Sequence, residues 1–200
     1  MTTGKPFILG LTGSIGMGKS AVAAMFNGLS VPVFDADAAV HQLQGPGGRL
    51  LPDIEAAFPG TTGPQGVDRQ KLGAAVFGNP EALKRLEAIV HPAVADMRRD
   101  FLRANTEQPL IVFDIPLLYE KGGHSQIDAV LVVSASPEAQ RQRVLARPGM
   151  TPEKFEQILK LQVPDAEKRA RADFVIDTGT SLAETRHAVQ ALVHRLTGTG

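Results

Sequence analysis

The 200-residue chain has no cysteine. That excludes a disulfide framework and any thiolate metal site, and it is compatible with a reducing cytosol. It also lacks a charge excess: Lys+Arg and Asp+Glu are both 21, so the net charge is zero. Nothing in that balance steers the chain towards nucleic acid or an anionic membrane. No apolar run approaches the length of a membrane span. The first residues show no signal-peptide pattern, since Lys5-Pro6 leads directly into a short apolar run. Internal repeats and low-complexity segments are absent as well. What is present is an ordinary globular composition, 43% hydrophobic and 21% charged. The length suits one domain with a proper core.

The most informative stretch is Gly13-Ser14-Ile15-Gly16-Met17-Gly18-Lys19-Ser20, which reads G-x-x-x-x-G-K-S, the Walker A phosphate-loop pattern. Before it lies Phe7-Ile8-Leu9-Gly10-Leu11, short enough for a buried strand. After it, Val22, Met25, Phe26 and Leu29 follow a helical spacing. Strand, glycine loop and helix are the context this motif needs. The glycines let the main chain approach a ligand, and successive N–H groups at the positive end of a helix form an anion nest. Lys19 can reach the β- and γ-phosphates, and the Ser20 hydroxyl can coordinate Mg²⁺. The other reading is a glycine-rich turn with a solvated lysine. The flanking strand and helix favour the nucleotide.

Further along, Val31 to Phe34 reads as a second strand, ending in Asp35-Ala36-Asp37. Ligand groups in open α/β sheets sit at the carboxyl ends of strands, so these acids are candidates for a base or a Mg²⁺ pair. The alternative is helix capping, favoured for Asp37 over Asp35. The block from about 36 to 106 is expected to be mostly helical, with Gly/Pro-rich loops between 45 and 68 around a helix at Leu50–Phe58. A helix opening at Val67-Asp68-Arg69 and another at Asn79-Pro80-Glu81 follow, the latter with Leu83, Leu86, Ile89 and Val90 on its buried face. His91-Pro92 interrupts it before the helix resumes. A local hydrogen bond at the junction is as good an account of His91 as a substrate contact.

Leu110-Ile111-Val112-Phe113 is a continuous β-favouring run closing on Asp114, a Walker B-like signal in which the carboxylate could hold a Mg²⁺-bound water. Ala129–Val133 and Phe174–Ile176 supply the fourth and fifth strands. Between them, Ser136-Pro137-Glu138 and Thr151-Pro152-Glu153 start two helices. Arg143 and Arg147, four apart, are expected to share a face and to reach phosphates from a lid; a solvated basic face is the alternative. Ser181 to Glu184 reads as a capping box for the last helix. Five short strands alternating with helices imply a parallel sheet covered on both faces.

Taken together, these stretches resemble the dephospho-coenzyme A kinase family from end to end. The resemblance rests on Leu11 to Ser20, Phe34-Asp35-Ala36-Asp37, Val67-Asp68-Arg69, and Leu86-Glu87-Ala88-Ile89-Val90-His91-Pro92. It continues in Asp114-Ile115-Pro116-Leu117-Leu118-Tyr119-Glu120, in Arg147, and in Ala172-Asp173-Phe174-Val175-Ile176-Asp177. It implies an α/β, three-layer P-loop NTPase fold: a five-stranded parallel sheet with a helical substrate-binding insertion and a helical lid. In one kinase domain spanning 1–200, the core would comprise about 1–35, 109–135 and 172–200, the coenzyme A-binding region about 36–106, and the lid about 137–171.

The resemblance further implies transfer of the ATP γ-phosphoryl group, with Mg²⁺, to the 3′-hydroxyl of dephospho-coenzyme A, the last step of coenzyme A synthesis. Asp35 would then accept the hydroxyl proton, Lys19 and Arg143 would neutralise charge, and Ser20 and Asp114 would hold the metal. Gly13, Ser14, Ile15, Gly16, Met17, Gly18, Lys19, Ser20 and Ala21 would bind phosphate with Arg143 and Arg147, and Thr178-Gly179 would lie near the adenine. Asp35, Asp37, Asp68, Arg69, His91, Pro92, Asp114 and Leu117 would line the acceptor side. The implied protein is cytoplasmic, a monomer or small homo-oligomer, without nucleic-acid or membrane partners. Two positions depart from the family pattern: Ala21 replaces a usual Thr, and Thr178 replaces a usual Asn.

Rival expectations differ in class. Another small-molecule or nucleotide kinase of the same fold would keep loop, sheet and lid but differ in the middle block. A GTP-dependent switch needs Asn-Lys-x-Asp, yet Asn27, Asn79 and Asn105 are followed by Gly, Pro and Thr. A non-catalytic nucleotide-binding module would not need Asp35 beside an intact Lys19 and Ser20.

Overall fold

Strand β1, Phe7–Thr12, leaves Ile8, Leu9 and Leu11 with almost no exposed surface. A run this apolar requires cover on both faces. In the computed structural model, which describes residues 5–120, 122 and 126–198, one face is covered by helices and the other by the segment that follows the Asp114 strand. The remaining strands are β2 (Val33–Asp35), the two-residue β3 (Thr62–Gly63) and β4 (Gly66–Val67), then β5 (Leu110–Asp114), β6 (Ala129–Ser134) and β7 (Phe174–Asp177). Five form one parallel sheet in the order β2, β5, β1, β6, β7. The first strand in sequence is thus central in space, flanked by β5 and β6, which come a hundred residues later. The expected second strand begins two residues later than its apolar run. Pro32 cannot donate to a ladder, but its carbonyl accepts from Val112 N at 2.9 Å.

Two compact units divide the chain: Met1–Phe34 with Asn105–Gly200, and Asp35–Ala104. In the first unit, alternation along β6 separates two apolar layers. Leu131 and Val133 join Leu9, Leu11 and Ile176 under helices α1 (Lys19–Gly28) and α9 (Leu182–Thr197), which contribute Val22, Phe26, Val189 and Leu192. Val130 and Val132 face the other way, against Leu118 and Tyr119. The capping box expected for α9 is present, with Ser181 and Glu184 satisfying each other's backbone N–H.

The second unit contains α2 (Ala36–Gln44), α3 (Leu51–Ala57), the β3–β4 hairpin, α4 (Arg69–Val76) and α5 (Pro80–Ala104). Its own core is built from Leu43, Leu50, Ile54, Phe58, Leu72, Ala82 and Ala93. Here α5 departs from expectation. His91-Pro92 does not interrupt it: one helix of 25 residues runs through with Pro92 inside. Its buried face is centred on Ala82 and Ala93, and Leu83 is 45% exposed. The β3–β4 hairpin falls inside a stretch read as loop. Its two-residue strands are too short to leave a period, and the Glu55 carboxylate holds it by accepting from Gly60 N, Thr62 N and Thr62 Oγ1.

Residues 137–171 hold three helices rather than two: α6 (Pro137–Leu145), α7 (Pro152–Leu161) and α8 (Asp165–Ala170). The last carries Asp-Ala-Glu-Lys-Arg-Ala and has no apolar stripe to announce it. It is anchored by an ion: Lys168, fully buried, meets Glu120 Oε1 at 2.9 Å. Helix α6 also ends before Arg147, so that residue does not share a helical face with Arg143. Among the described residues, no helix is long and apolar enough to cross a membrane.

Candidate active site

Between β1 and α1 the chain turns through residues 13–18. Gly16 and Gly18 hold φ of +78° and +83°, conformations that side-chain-bearing residues rarely adopt. Gly13 is required for a different reason: a Cβ there would sit 2.6 Å from Val133 Cγ2 and 2.9 Å from Val133 O, so a side chain would push the loop off β6. Gly18 is the N-cap of α1, so Lys19 and Ser20 open the helix with their N–H groups at its positive end. Ser20 and Ala21 are exposed, while Ser14 and Met17 are buried.

Strand register then supplies the partner of Lys19. In the β1–β5 pairing Leu11 lies opposite Asp114, so the residue closing β5 stands beside the entry to the loop. The Lys19 ammonium and the Asp114 carboxylate form an ion pair and hydrogen bond. Asp114 is only 4% exposed. Lys19, Ser20 and Asp114, assigned to phosphate and metal from the sequence, are therefore brought to one end of two adjacent strands.

Asp35 closes β2 at the edge of the same sheet. Its Oδ1 accepts from Ala38 N at 2.9 Å, making Asp35 itself the N-cap of α2. The cap had been expected at Asp37, which instead lies in the first turn of the helix. Among the described residues the second Asp35 carboxylate oxygen makes no hydrogen bond, so capping leaves it available.

Arg143 reaches the segment after β7. Its Nη2 donates to the Thr178 carbonyl at 2.6 Å and its Nη1 to Thr178 Oγ1 at 3.3 Å. Thr178 is buried, and its hydroxyl donates inward to the loop, to Met17 O at 2.8 Å. Gly179 is exposed and donates to Asp177 Oδ1. Arg147 lies beyond α6 and is exposed.

In the second unit, Asp68 caps α4 by accepting from Gln70 N and Lys71 N, both at 3.1 Å. The hydrogen bond from Lys71 N is the main cause that holds its carboxyl below the ordinary carboxylate value. Arg69 Nη2 lies 2.6 Å from His41 Nδ1. His91 and Pro92 are exposed on α5.

The stretch from Asp114 to Glu120 does more architecture than its motif suggests. The Pro116 carbonyl accepts from Thr12 Oγ1. Leu117 is half-buried, Leu118 is fully buried, and Arg171 stacks 4.3 Å above the Tyr119 ring. Glu120 accepts from Val163 N and pairs with Lys168. Burial alone would raise the Glu120 carboxyl, but the contacts to Lys168 and Val163 N outweigh it and hold it below its ordinary value.

Sequence reasoning missed Gln140 and Gln162. Gln140 Nε2 donates to Ile15 O at 2.8 Å, and Gln162 Oε1 accepts from Ile15 N at 3.1 Å. No motif surrounds either residue, and only the packing of α6 and α7 against the loop reveals them.

Comparison with known proteins agrees with this geometry. A family model described as dephospho-CoA kinase matches residues 7–184. A dephospho-CoA kinase of Novosphingobium aromaticivorans is 71% identical over 192 residues, 96% of each chain. A crystal structure of a Thermus thermophilus protein superposes with a TM-score of 0.84 at 37% identity, covering 98% of this chain and 100% of that one. The dephospho-CoA kinase of Campylobacter jejuni does so with a TM-score of 0.66 at 25% identity, covering 96% and 97%. With a glycine loop, its lysine paired to a strand-end aspartate, and a match of this extent, the chain belongs to the dephospho-CoA kinase family.

Proposed function

We propose that the protein transfers the γ-phosphoryl group of ATP to the 3′-hydroxyl of dephospho-coenzyme A, the last step of coenzyme A synthesis, in the cytoplasm. The observation that carries the reading is the Lys19–Asp114 pair at the mouth of a glycine loop, with Asp35 closing β2 in the same sheet. Family membership supports the choice of acceptor.

In this reading the loop N–H groups and Lys19 hold the β- and γ-phosphates, and Arg143, with Arg147, offsets charge that builds on the transferring group. The free oxygen of Asp35 accepts the 3′-hydroxyl proton. The 3′-oxygen bonds to the γ-phosphorus as the bond to the ADP oxygen breaks, and ADP leaves with that electron pair. Asp37, Asp68, Arg69, His91, Pro92 and Leu117 serve the acceptor, and the backbone of Thr178-Gly179 the nucleoside end.

The donor set fits Mg²⁺. Ser20 and Asp114 supply hard oxygens, and among the described residues no group of three acidic or histidine side chains forms a dedicated cage. Mg²⁺ takes one or two protein oxygens and completes its shell with phosphates and water. Bound there it would neutralise phosphate charge.

The test is ADP formation with Mg-ATP and dephospho-coenzyme A, beside adenosine, shikimate and nucleoside monophosphates. ADP with dephospho-coenzyme A alone, and a 3′-phosphorylated product, is the expected result. Turnover of a different acceptor instead would keep the kinase and discard this substrate.

A further inference from the structure

A phosphate nest works only if its amide N–H groups point at the anion. Gly16 and Gly18, at positive φ, sit where a loop can turn its peptides either way, so the orientation needs a cause. A trans peptide is planar, with its carbonyl and its N–H on opposite sides. No peptide bond among the described residues is cis. Whatever grips a loop carbonyl from behind therefore turns the next residue's N–H to the front.

Two loop carbonyls are gripped in this way, each by a side chain distant in sequence. Gln140 Nε2, from α6, donates to Ile15 O at 2.8 Å. Thr178 Oγ1, just past β7, donates to Met17 O at 2.8 Å, with Ser134 O as its other acceptor at 3.1 Å. The N–H groups that follow are those of Gly16 and Gly18. Among the described residues neither has a protein acceptor. The intervening N–H groups are consumed inside the protein: Ile15 N by Gln162 Oε1, and Met17 N by Ser14 O at 3.1 Å. The loop thus alternates between amides spent on the fold and amides turned outward. Both gripping residues are 6% exposed, so water does not compete for these bonds. Of the two ends of the Gln140 amide only the NH₂ can donate to a carbonyl, which fixes the orientation of that amide.

We infer that Gln140 and Thr178 are positioning residues for phosphate binding, acting through the Ile15 and Met17 carbonyls to present the Gly16 and Gly18 amides. This rests on the reading of residues 13–20 as a phosphate loop, but not on the choice of acceptor. Thr178 also holds Arg143 through its own carbonyl. Replacing its side chain keeps that bond and removes the longer contact from Arg143 Nη1 to Thr178 Oγ1 at 3.3 Å, so the Gln140 variant, which leaves Arg143 untouched, serves as the independent arm.

The experiment measures binding of ADP, inorganic tripolyphosphate and adenosine to the full chain by titration calorimetry, with adenosine followed by competition, for wild type, Thr178→Val, Thr178→Ser and Gln140→Glu. Valine keeps the shape of threonine without the donor. Glutamate keeps the length of glutamine but presents an acceptor to the Ile15 carbonyl. Both are expected to weaken ADP and tripolyphosphate about tenfold, the loss of one oriented amide bond to an anion, and to leave adenosine within about twofold. Serine restores the hydroxyl and is expected to return ADP affinity to near wild type. A general loosening of the fold would weaken adenosine equally, and that result overturns the inference. So does wild-type ADP affinity in either folded variant, or a serine variant as weak as the valine one. Wild-type protein that binds neither ADP nor tripolyphosphate would overturn the phosphate-loop reading, and this inference with it.

Discussion

Lys19, at the first position of α1, is ion-paired with Asp114, at the last position of β5. The two are 95 residues apart and meet because β5 lies beside β1, with Leu11 opposite Asp114. A carboxylate this buried is stabilised by its cation, and the cation is one the phosphates would also claim. Lys19→Ala is therefore expected to do two things. Nucleotide affinity and turnover fall together, because the phosphate contact is lost. The nucleotide-free protein also loses up to about 3 kcal/mol in urea unfolding, since the buried Asp114 loses this cation. Unchanged stability would show that the Lys19 cation contributes nothing net to holding Asp114 in the folded protein.

Asp35 combines a cap with a proposed base, and the two can be separated. Asparagine is as good an N-cap as aspartate, so Asp35→Asn should keep the bond to Ala38 N and unfold within about 0.5 kcal/mol of wild type. Turnover should fall by about 10²–10⁴-fold, the range expected for removing a general base, with ATP affinity retained. Asp35→Ala should show the same loss of turnover and about 1 kcal/mol of destabilisation besides. Near-wild-type turnover in the asparagine variant would remove Asp35 from the chemistry.

The Glu120–Lys168 pair ties α8 to the segment after β5, and its effect depends on pH. Glu120 is held below its ordinary value of 4.5, so the unfolded chain takes up its proton first as pH falls. The stabilisation is complete above that value and is lost as pH drops through the lower, folded-state value. Glu120→Gln should cost about 3 kcal/mol at neutral pH, because Lys168 stays buried without its counter-charge. The gap between wild type and variant, followed by urea unfolding, should narrow as pH falls below about 4.5. A constant gap across that range would place the interaction in packing rather than in charge.

Pro92 lies inside α5, where its ring removes the N–H that would bond to the carbonyl of Ala88. Pro92→Ala restores that donor and should raise stability by about 1 kcal/mol or more, read as a higher urea midpoint. Under the acceptor-side role proposed for His91-Pro92, KM for dephospho-coenzyme A should rise while KM for ATP does not. A more stable variant with an unaltered acceptor KM would make Pro92 an architectural residue alone.

The five strands of the main sheet, the glycine loop and most helix starts were legible in the chain because their signals are local. Leu110 to Phe113 is apolar throughout, as a strand covered on both faces must be. The glycines, lysine and serine of the loop are contiguous, and Ser136, Thr151 and Ser181 announce the helices that they cap. Helix α8 left no such signal, because it is short, charged, and fixed by Lys168 meeting a glutamate 48 residues upstream. Nor did the bond from the Thr178 hydroxyl to the Met17 carbonyl, whose two ends lie 161 residues apart in sequence. Local pattern determined most of the segments that form strands and helices and which stretch makes the glycine loop, since backbone conformation and amphipathic period are properties of neighbours in sequence. Strand order and register decided the rest. They bring Asp114 to Lys19 and Thr178 to the back of the loop, and the packing of α6 brings Gln140 there, because an ion pair or hydrogen bond forms only where packing sets its partners within reach.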